Sequence, residues 1–208
     1  MRSIDETMRR APVIPVVSIG DAEGAPALAA ALVAGGLPVI EITLRTPAAL
    51  PAIEAAAKAQ PDAVVGAGTV TNAEELEQVR AAGAQFAVSP GLTESLIAAS
   101  RDVGLPLLPG VATASEAMRA MEAGFDRLKF FPAESAGGPA GLKGLGGPFP
   151  ALCFCPTGGV TPENAATYLA LDNVVCVGGS WVAPRALIDA GDWAAIERRA
   201  RAASALSV

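Results

Sequence analysis

The sequence predicts a single-domain α/β protein, a (β/α)8 barrel of the TIM type spanning residues 1–208, and three observations predict it. Short apolar, β-branched runs recur eight times along the chain. Alanine-rich stretches of helical composition separate them. No linker or break in composition divides the sequence. Strands that are apolar on both faces suit a parallel sheet with helices outside and packed side-chain layers inside. A chain of 208 residues is long enough to bury one substantial core. A doubly wound open sheet is the competing architecture, but it ordinarily has fewer strands in a chain this short.

In chain order, a short N-terminal helical segment precedes the first strand. The expected strands are 13–18, 38–43, 63–66, 86–89, 105–109, 127–131, 151–155 and 174–177. Helices are expected between them at 25–34, 48–59, 73–82, 93–101, 115–123 and 162–171. Gly83 and Gly124 stand just before strands, where glycine suits a helix C-terminus. Thr71-Asn72 and Thr161-Pro162 read as helix starts, with proline at the first helical position in the second case. The segment 137–150 is rich in glycine and proline and could pass for a linker. With a short helix at 140–145, it is better read as the connection from the sixth strand to the seventh.

Composition excludes whole classes of function. The chain is 51% hydrophobic but has no apolar run of about 18 residues, so no membrane span is expected. Its start mixes acids with bases and has no apolar core of a secretory signal, which predicts a soluble, cytoplasmic protein. A net charge of −6 without a basic face argues against nucleic acid as a partner. The absence of histidine removes imidazole bases, His-based triads and the usual zinc sites. Cys153, Cys155 and Cys176 fall in apolar strands, where cysteine packs as a small hydrophobe, and their odd number gives no disulfide framework. No metal or cofactor is expected. Chemistry must come from Lys, Glu, Asp, Arg, Thr, Ser and the backbone.

Lys129 stands out against that background. It is one of three lysines and lies in Arg127-Leu-Lys-Phe-Phe-Pro132, a strand ending in a proline turn. Burying an ammonium costs far more than its apolar contacts return, so such a lysine is usually paired or kept as an unprotonated amine. An unprotonated amine can attack a carbonyl to form a Schiff base. The plain alternative is a lysine snorkelling from a strand end. In a (β/α)8 barrel, active residues gather at the C-terminal ends of strands. That rule selects Glu41 and Arg45 at the end of the second strand, Thr69 after the third and Pro90 after the fourth. It also selects Gly158-Gly159 after the seventh strand and Gly178-Gly179-Ser180 after the eighth. Paired glycines after the last two strands suit a phosphate held by backbone N–H groups. Glu41 can shuttle protons beside a Schiff-base lysine, and Arg45 can grip a carboxylate with two hydrogen bonds. A structural ion pair is the plain reading of the same residues.

Taken together, these segments resemble a known family. They are Ala34-Gly-Gly36, Ile40-Glu-Ile-Thr-Leu-Arg-Thr46, Val65-Gly-Ala-Gly-Thr-Val70, Gly83-Ala-Gln-Phe86 and Ser89-Pro-Gly-Leu-Thr93. Lys129-Phe-Phe-Pro-Ala-Glu134, Phe154-Cys-Pro-Thr-Gly-Gly159 and Val177-Gly-Gly-Ser-Trp181 complete the set. In order and spacing they resemble the bacterial 2-keto-3-deoxy-6-phosphogluconate (KDPG) aldolases, including bifunctional members that also act on 4-hydroxy-2-oxoglutarate. The resemblance implies a homotrimeric, metal-independent class I aldolase acting on a small phosphorylated 2-keto acid. It implies Lys129 as the Schiff-base nucleophile and Glu41 as the general acid/base. Arg45 and Thr69 would hold the pyruvyl carboxylate, Pro90 would complete that pocket and Phe131 would cover it. Gly158, Gly159, Gly179 and Ser180 would bind phosphate, and Thr157 would face the hydroxylated middle of the substrate.

One departure bears on the substrate. Many relatives carry arginine near the end of the first strand, where this chain has Ser18-Ile19-Gly20. Phosphate binding would then rest more on backbone N–H groups and Ser180. Thr157 matches the gluconate-type enzymes, whereas galactonate-type relatives tend to be aliphatic there. A phosphate-binding barrel isomerase would use the paired glycines without needing Lys129, and a silent sugar-phosphate binding module would bind without turnover.

Overall fold

The computed structural model describes residues 3–206. Its element order is a helix and strand followed by repeated helix–strand alternation. Helix α1 (Ile4–Met8) leads into β1 (Val13–Val17), α2 (Ala25–Ala34), β2 (Val39–Thr43), α3 (Ala49–Ala59) and β3 (Val64–Gly68). Then come α4 (Ala73–Ala81), β4 (Ala87–Val88), α5 (Glu94–Val103), β5 (Leu107–Leu108), β6 (Gly110–Val111) and α6 (Ala114–Glu122). The remainder is β7 (Arg127–Phe130), α7 (Gly138–Gly146), β8 (Cys153–Pro156), α8 (Ala165–Leu169), β9 (Val177–Gly179), α9 (Arg185–Asp189) and α10 (Trp193–Ser204).

Every named pairing is parallel. Six strands in the order β5-β4-β3-β2-β1-β9 form a sheet that curls into a half-barrel. A second sheet holds β6-β7-β8. Parallel bridges from Phe154 to Val174 and from Thr157 to Gly178 bring β8 beside the β9 segment.

Most expected elements fall within a residue or two of these, and the differences have physical causes. The expected fifth strand breaks at Pro109, which has no N–H to give a ladder. Leu107–Leu108 pairs with β4 on one side of the break, and Gly110–Val111 pairs with β7 on the other. The last strand runs later than expected, at Val177–Gly179, and Val174 makes only an isolated bridge. The helix expected at 162 starts at Ala165, because Pro162 lies in a turn that Asn164 closes by accepting from the Thr161 N–H. Gly83 and Gly124 stand one residue beyond their helix caps with φ of +92° and +93°. There the N–H of the following residue bonds back to Val79 and Ala120 respectively, a Schellman closure that needs the left-handed conformation. Helices α9 and α10 were not among the expected elements.

Strand alternation sorts the core into two clusters. Side chains on the outer faces, such as Val17, Ile40, Ile42, Val65, Leu128, Phe130 and Phe154, pack with the helices. Ile14, Val39, Val64, Phe86, Leu108, Cys155 and Cys176 form a separate inner cluster, closed by the fully buried Met8 of α1. The two buried cysteines thus pack as small hydrophobes, and all three thiols are free. A hydrogen bond donated to Cys155, and burial second, hold the Cys176 thiol well above the ordinary range. Among the described residues no helix is long and apolar enough to cross a membrane.

Candidate active site

At the C-terminal ends of the strands the inward positions change character. On β2, Val39 belongs to the apolar inner cluster, while two residues on Glu41 is 3% exposed and polar. On β7, Lys129 points to the same interior and is 6% exposed. Lys129 Nζ lies 3.4 Å from Glu41 Oε1, a buried pair contributed by two strands that are not neighbours. The amine also sits 5.0 Å from the centroid of the Phe131 ring, which gives it an apolar wall.

The strands make room for this pair. Gly68 on β3 is inward-facing, and a Cβ there would collide with the Glu41 carboxylate. Gly110 on β6 meets the Pro90 backbone in the same way. These glycines therefore permit close approach where any side chain would displace the site.

Arg45 is aimed by its neighbour. Its Nε donates to Thr43 Oγ1 at 2.9 Å, and that buried hydroxyl donates in turn to the Val17 carbonyl at 2.8 Å. The guanidinium NH2 groups are left for an anion. Thr69 holds φ of +63°, which is rare for a β-branched residue and costs about 1–3 kcal/mol. Such a conformation persists where surrounding structure imposes it, commonly at functional sites.

The structure brings Lys129, Glu41, Arg45, Thr69, Pro90, Phe131, Thr157, Gly158, Gly159 and Ser180 around one cleft of about 270 Å³. Gly179 does not line it. Its missing side chain faces Trp181, while Gly178 and Ser180 share the cleft side. Strand period two carries that signal, since positions 178 and 180 point one way and 179 the other. The same rule puts Thr43 with Glu41 and Arg45, and Thr43 lines the cleft as well. Val16 and Val160 also line the cleft. Ser18 does not. A hollow of about 430 Å³ near Lys143, Cys153 and Asp172 is larger, but no amine–carboxylate pair is buried there.

The far end of the cleft is a backbone anion cradle. Gly158 and Gly159 have φ of +98° and +80°. Among the described residues, the N–H groups of Gly159 and Val160 make no hydrogen bond to protein. Successive free N–H groups in a glycine turn make a concave site for an anion. One cleft thus carries a buried amine with a carboxylate beside it, an arginine at its rim and an N–H cradle.

Comparison with known proteins places the chain in a family. Residues 4–199 match the family model "KDPG and KHG aldolase". The chain is 51% identical over 203 residues to a 2-dehydro-3-deoxy-phosphogluconate aldolase of Pseudoalteromonas atlantica, covering 98% of this chain and 94% of that protein. A Legionella pneumophila KDPG aldolase structure, with pyruvate captured as a covalent carbinolamine, superposes with a TM-score of 0.96 at 45% identity, covering 98% of this chain and 99% of that one. The Zymomonas mobilis ZM4 2-keto-3-deoxy-6-phosphogluconate aldolase with 3-phosphoglycerate gives 0.93 at 51% identity, covering 100% and 97%. The chain belongs to the KDPG and KHG aldolase family.

Proposed function

We propose that this protein is a class I aldolase (a carbon–carbon lyase) that cleaves 2-dehydro-3-deoxy-6-phosphogluconate into pyruvate and glyceraldehyde 3-phosphate. The observation that carries the proposal is the buried Lys129–Glu41 pair, 3.4 Å apart, at one end of a cleft whose other end is an N–H cradle. Lys129 Nζ attacks the C2 ketone to give a carbinolamine, which loses water to form a protonated imine. Glu41 takes the C4 hydroxyl proton through a bridging water. The C3–C4 bond then breaks, its electrons pass into the imine, and glyceraldehyde 3-phosphate leaves. The remaining enamine is protonated at C3, and water releases pyruvate from Lys129. Arg45 and Thr69 hold the carboxylate, Pro90 and Phe131 close the pyruvyl pocket, and Thr157 faces the C4–C5 hydroxyls. Gly158, Gly159 and Ser180 take the phosphate. The step needs no imidazole and no metal.

A closed (β/α)8 barrel is part of the same proposal. It is supported by β5 and β6 lying on either side of Pro109 and by the bridges from β8 to the β9 segment, which together join the two sheets at both edges. A cytoplasmic homotrimer is the assembly we propose from the family relationship. Cleavage of 4-hydroxy-2-oxoglutarate to pyruvate and glyoxylate fits as a second activity, because the Lys129 end of the cleft is indifferent to what leaves from C4. The test is pyruvate release from the 6-phosphogluconate-derived acid, its C4 epimer and 4-hydroxy-2-oxoglutarate. We expect the highest kcat/KM for the first. A clear preference for the epimer would contradict the assignment of Thr157.

A further inference from the structure

We infer that Glu134, Asn164 and Tyr168 are positioning residues for the phosphate cradle, a fixed set of hydrogen bonds that turns its N–H groups towards substrate. The inference rests on the phosphorylated-substrate reading above and adds residues that line no part of the cleft.

Three consecutive carbonyls behind the cradle are drawn back into the protein. Thr157 O accepts from the Ala133 N–H at 2.8 Å, Gly158 O from the Glu134 N–H at 3.0 Å and Gly159 O from Asn164 Nδ2 at 3.1 Å. In a peptide chain, fixing each carbonyl on one side sends the next N–H to the other. The free N–H groups of Gly159 and Val160 are therefore a consequence of the last two of those bonds. The first two are donated by backbone N–H groups and survive truncation of any side chain. The third depends on one side chain.

Asn164 is itself held at both ends of its amide. Its Oδ1 accepts from the Thr161 N–H at 2.7 Å, and its Nδ2 also reaches Glu134 Oε1 at 3.3 Å. That carboxylate oxygen accepts a second bond from the Tyr168 hydroxyl, whose ring is fully buried. Burial first, and the Glu134 carboxylate second, hold the tyrosine proton in place by raising its pKa. Glu134 also explains the glycine at 159. Its Cβ and Cγ fill the space where a side chain would lie. Removing any member loosens the Gly159 peptide without touching Lys129, Glu41 or Arg45.

The test compares Asn164→Ala and Tyr168→Phe with wild type in two reactions. One is aldol addition of pyruvate to glyceraldehyde 3-phosphate and to unphosphorylated glyceraldehyde. The other is exchange of pyruvate C3 protons with solvent, which needs only the Lys129 end. Loss of one charge-linked hydrogen bond should raise KM for the phosphorylated aldehyde by about tenfold. KM for glyceraldehyde and the exchange rate should stay within about twofold, and Asn164→Ala should affect KM more than kcat. Asn164 is only partly buried, so that variant is expected to fold, whereas Tyr168→Phe alters a fully buried side chain. An unchanged phosphate preference in a folded Asn164→Ala variant would overturn the inference. So would equal loss with both aldehydes. If wild type itself shows no preference for the phosphorylated aldehyde, the phosphate reading fails first and takes this inference with it.

Discussion

The same strands end in two different chemistries. At their N-terminal ends the interior is apolar, with Ile14, Val39 and Val64 in one cluster with Met8. At their C-terminal ends it holds Glu41, Lys129 and Thr157, all buried. On β2 the change takes one step of the strand period, from Val39 to Glu41. The apolar half needs only volume and hydrophobicity, and its members can be exchanged if packing is kept. The polar half needs particular atoms at particular distances, because a buried charge without its partner is costly. One end therefore supplies stability and the other spends some of it on chemistry, which predicts that substitutions at the two ends will have separable effects.

The largest separation should come from Lys129→Ala. It removes the only amine in the cleft and should reduce aldol cleavage to background, with the far-ultraviolet circular dichroism of a folded protein retained. Residual turnover near wild type would refute a Schiff-base route. Glu41→Gln keeps the shape and removes the base, so kcat should fall by about 10² to 10⁴ while pyruvate still traps on Lys129. A normal kcat would reduce Glu41 to a structural partner. At the opposite end, Met8→Ala leaves a cavity under the inner cluster and should cost about 2–5 kcal/mol in chemical denaturation. Its kcat at a temperature where it is folded should match wild type, and a drop would show that the two ends are coupled.

The smallest effect belongs to Asp5. Hydrogen bonds from Arg9 first and Arg127 second lower its carboxyl pKa, while burial opposes them. A carboxyl depressed on folding adds stability above its unfolded pKa of about 4, and this is lost as pH falls through the folded value. Asp5→Asn should therefore lower stability at pH 7 by under about 1 kcal/mol, since the ion pairs are partly exposed, and the loss should vanish in acid. Urea midpoints measured at both pH values would show it, and equal losses at both would contradict the charge argument.

The sequence made the alternation of strands and helices legible because each strand is bounded by glycine, proline or a cap. Pro109 hid the split of one strand, since a proline at the end of an apolar run reads as its terminus whether or not the chain resumes pairing. Lys129, Glu41 and Arg45 stood out because charge is rare in an apolar strand end. Thr43 escaped for the opposite reason: a threonine in a strand is ordinary, and only the period-two count from Glu41 assigns it to the cleft. The clamp behind the cradle was beyond sequence reading. Asn164 and Glu134 are 30 residues apart and meet only through the fold.

The central claim is covalent catalysis by Lys129. Its most direct test is incubation with pyruvate and sodium borohydride, followed by mass mapping of the modified peptide. The account predicts one reduced pyruvyl adduct, located on Lys129, and none on Lys58 or Lys143. A folded, soluble protein that gains no adduct, or gains it on another lysine, would contradict it.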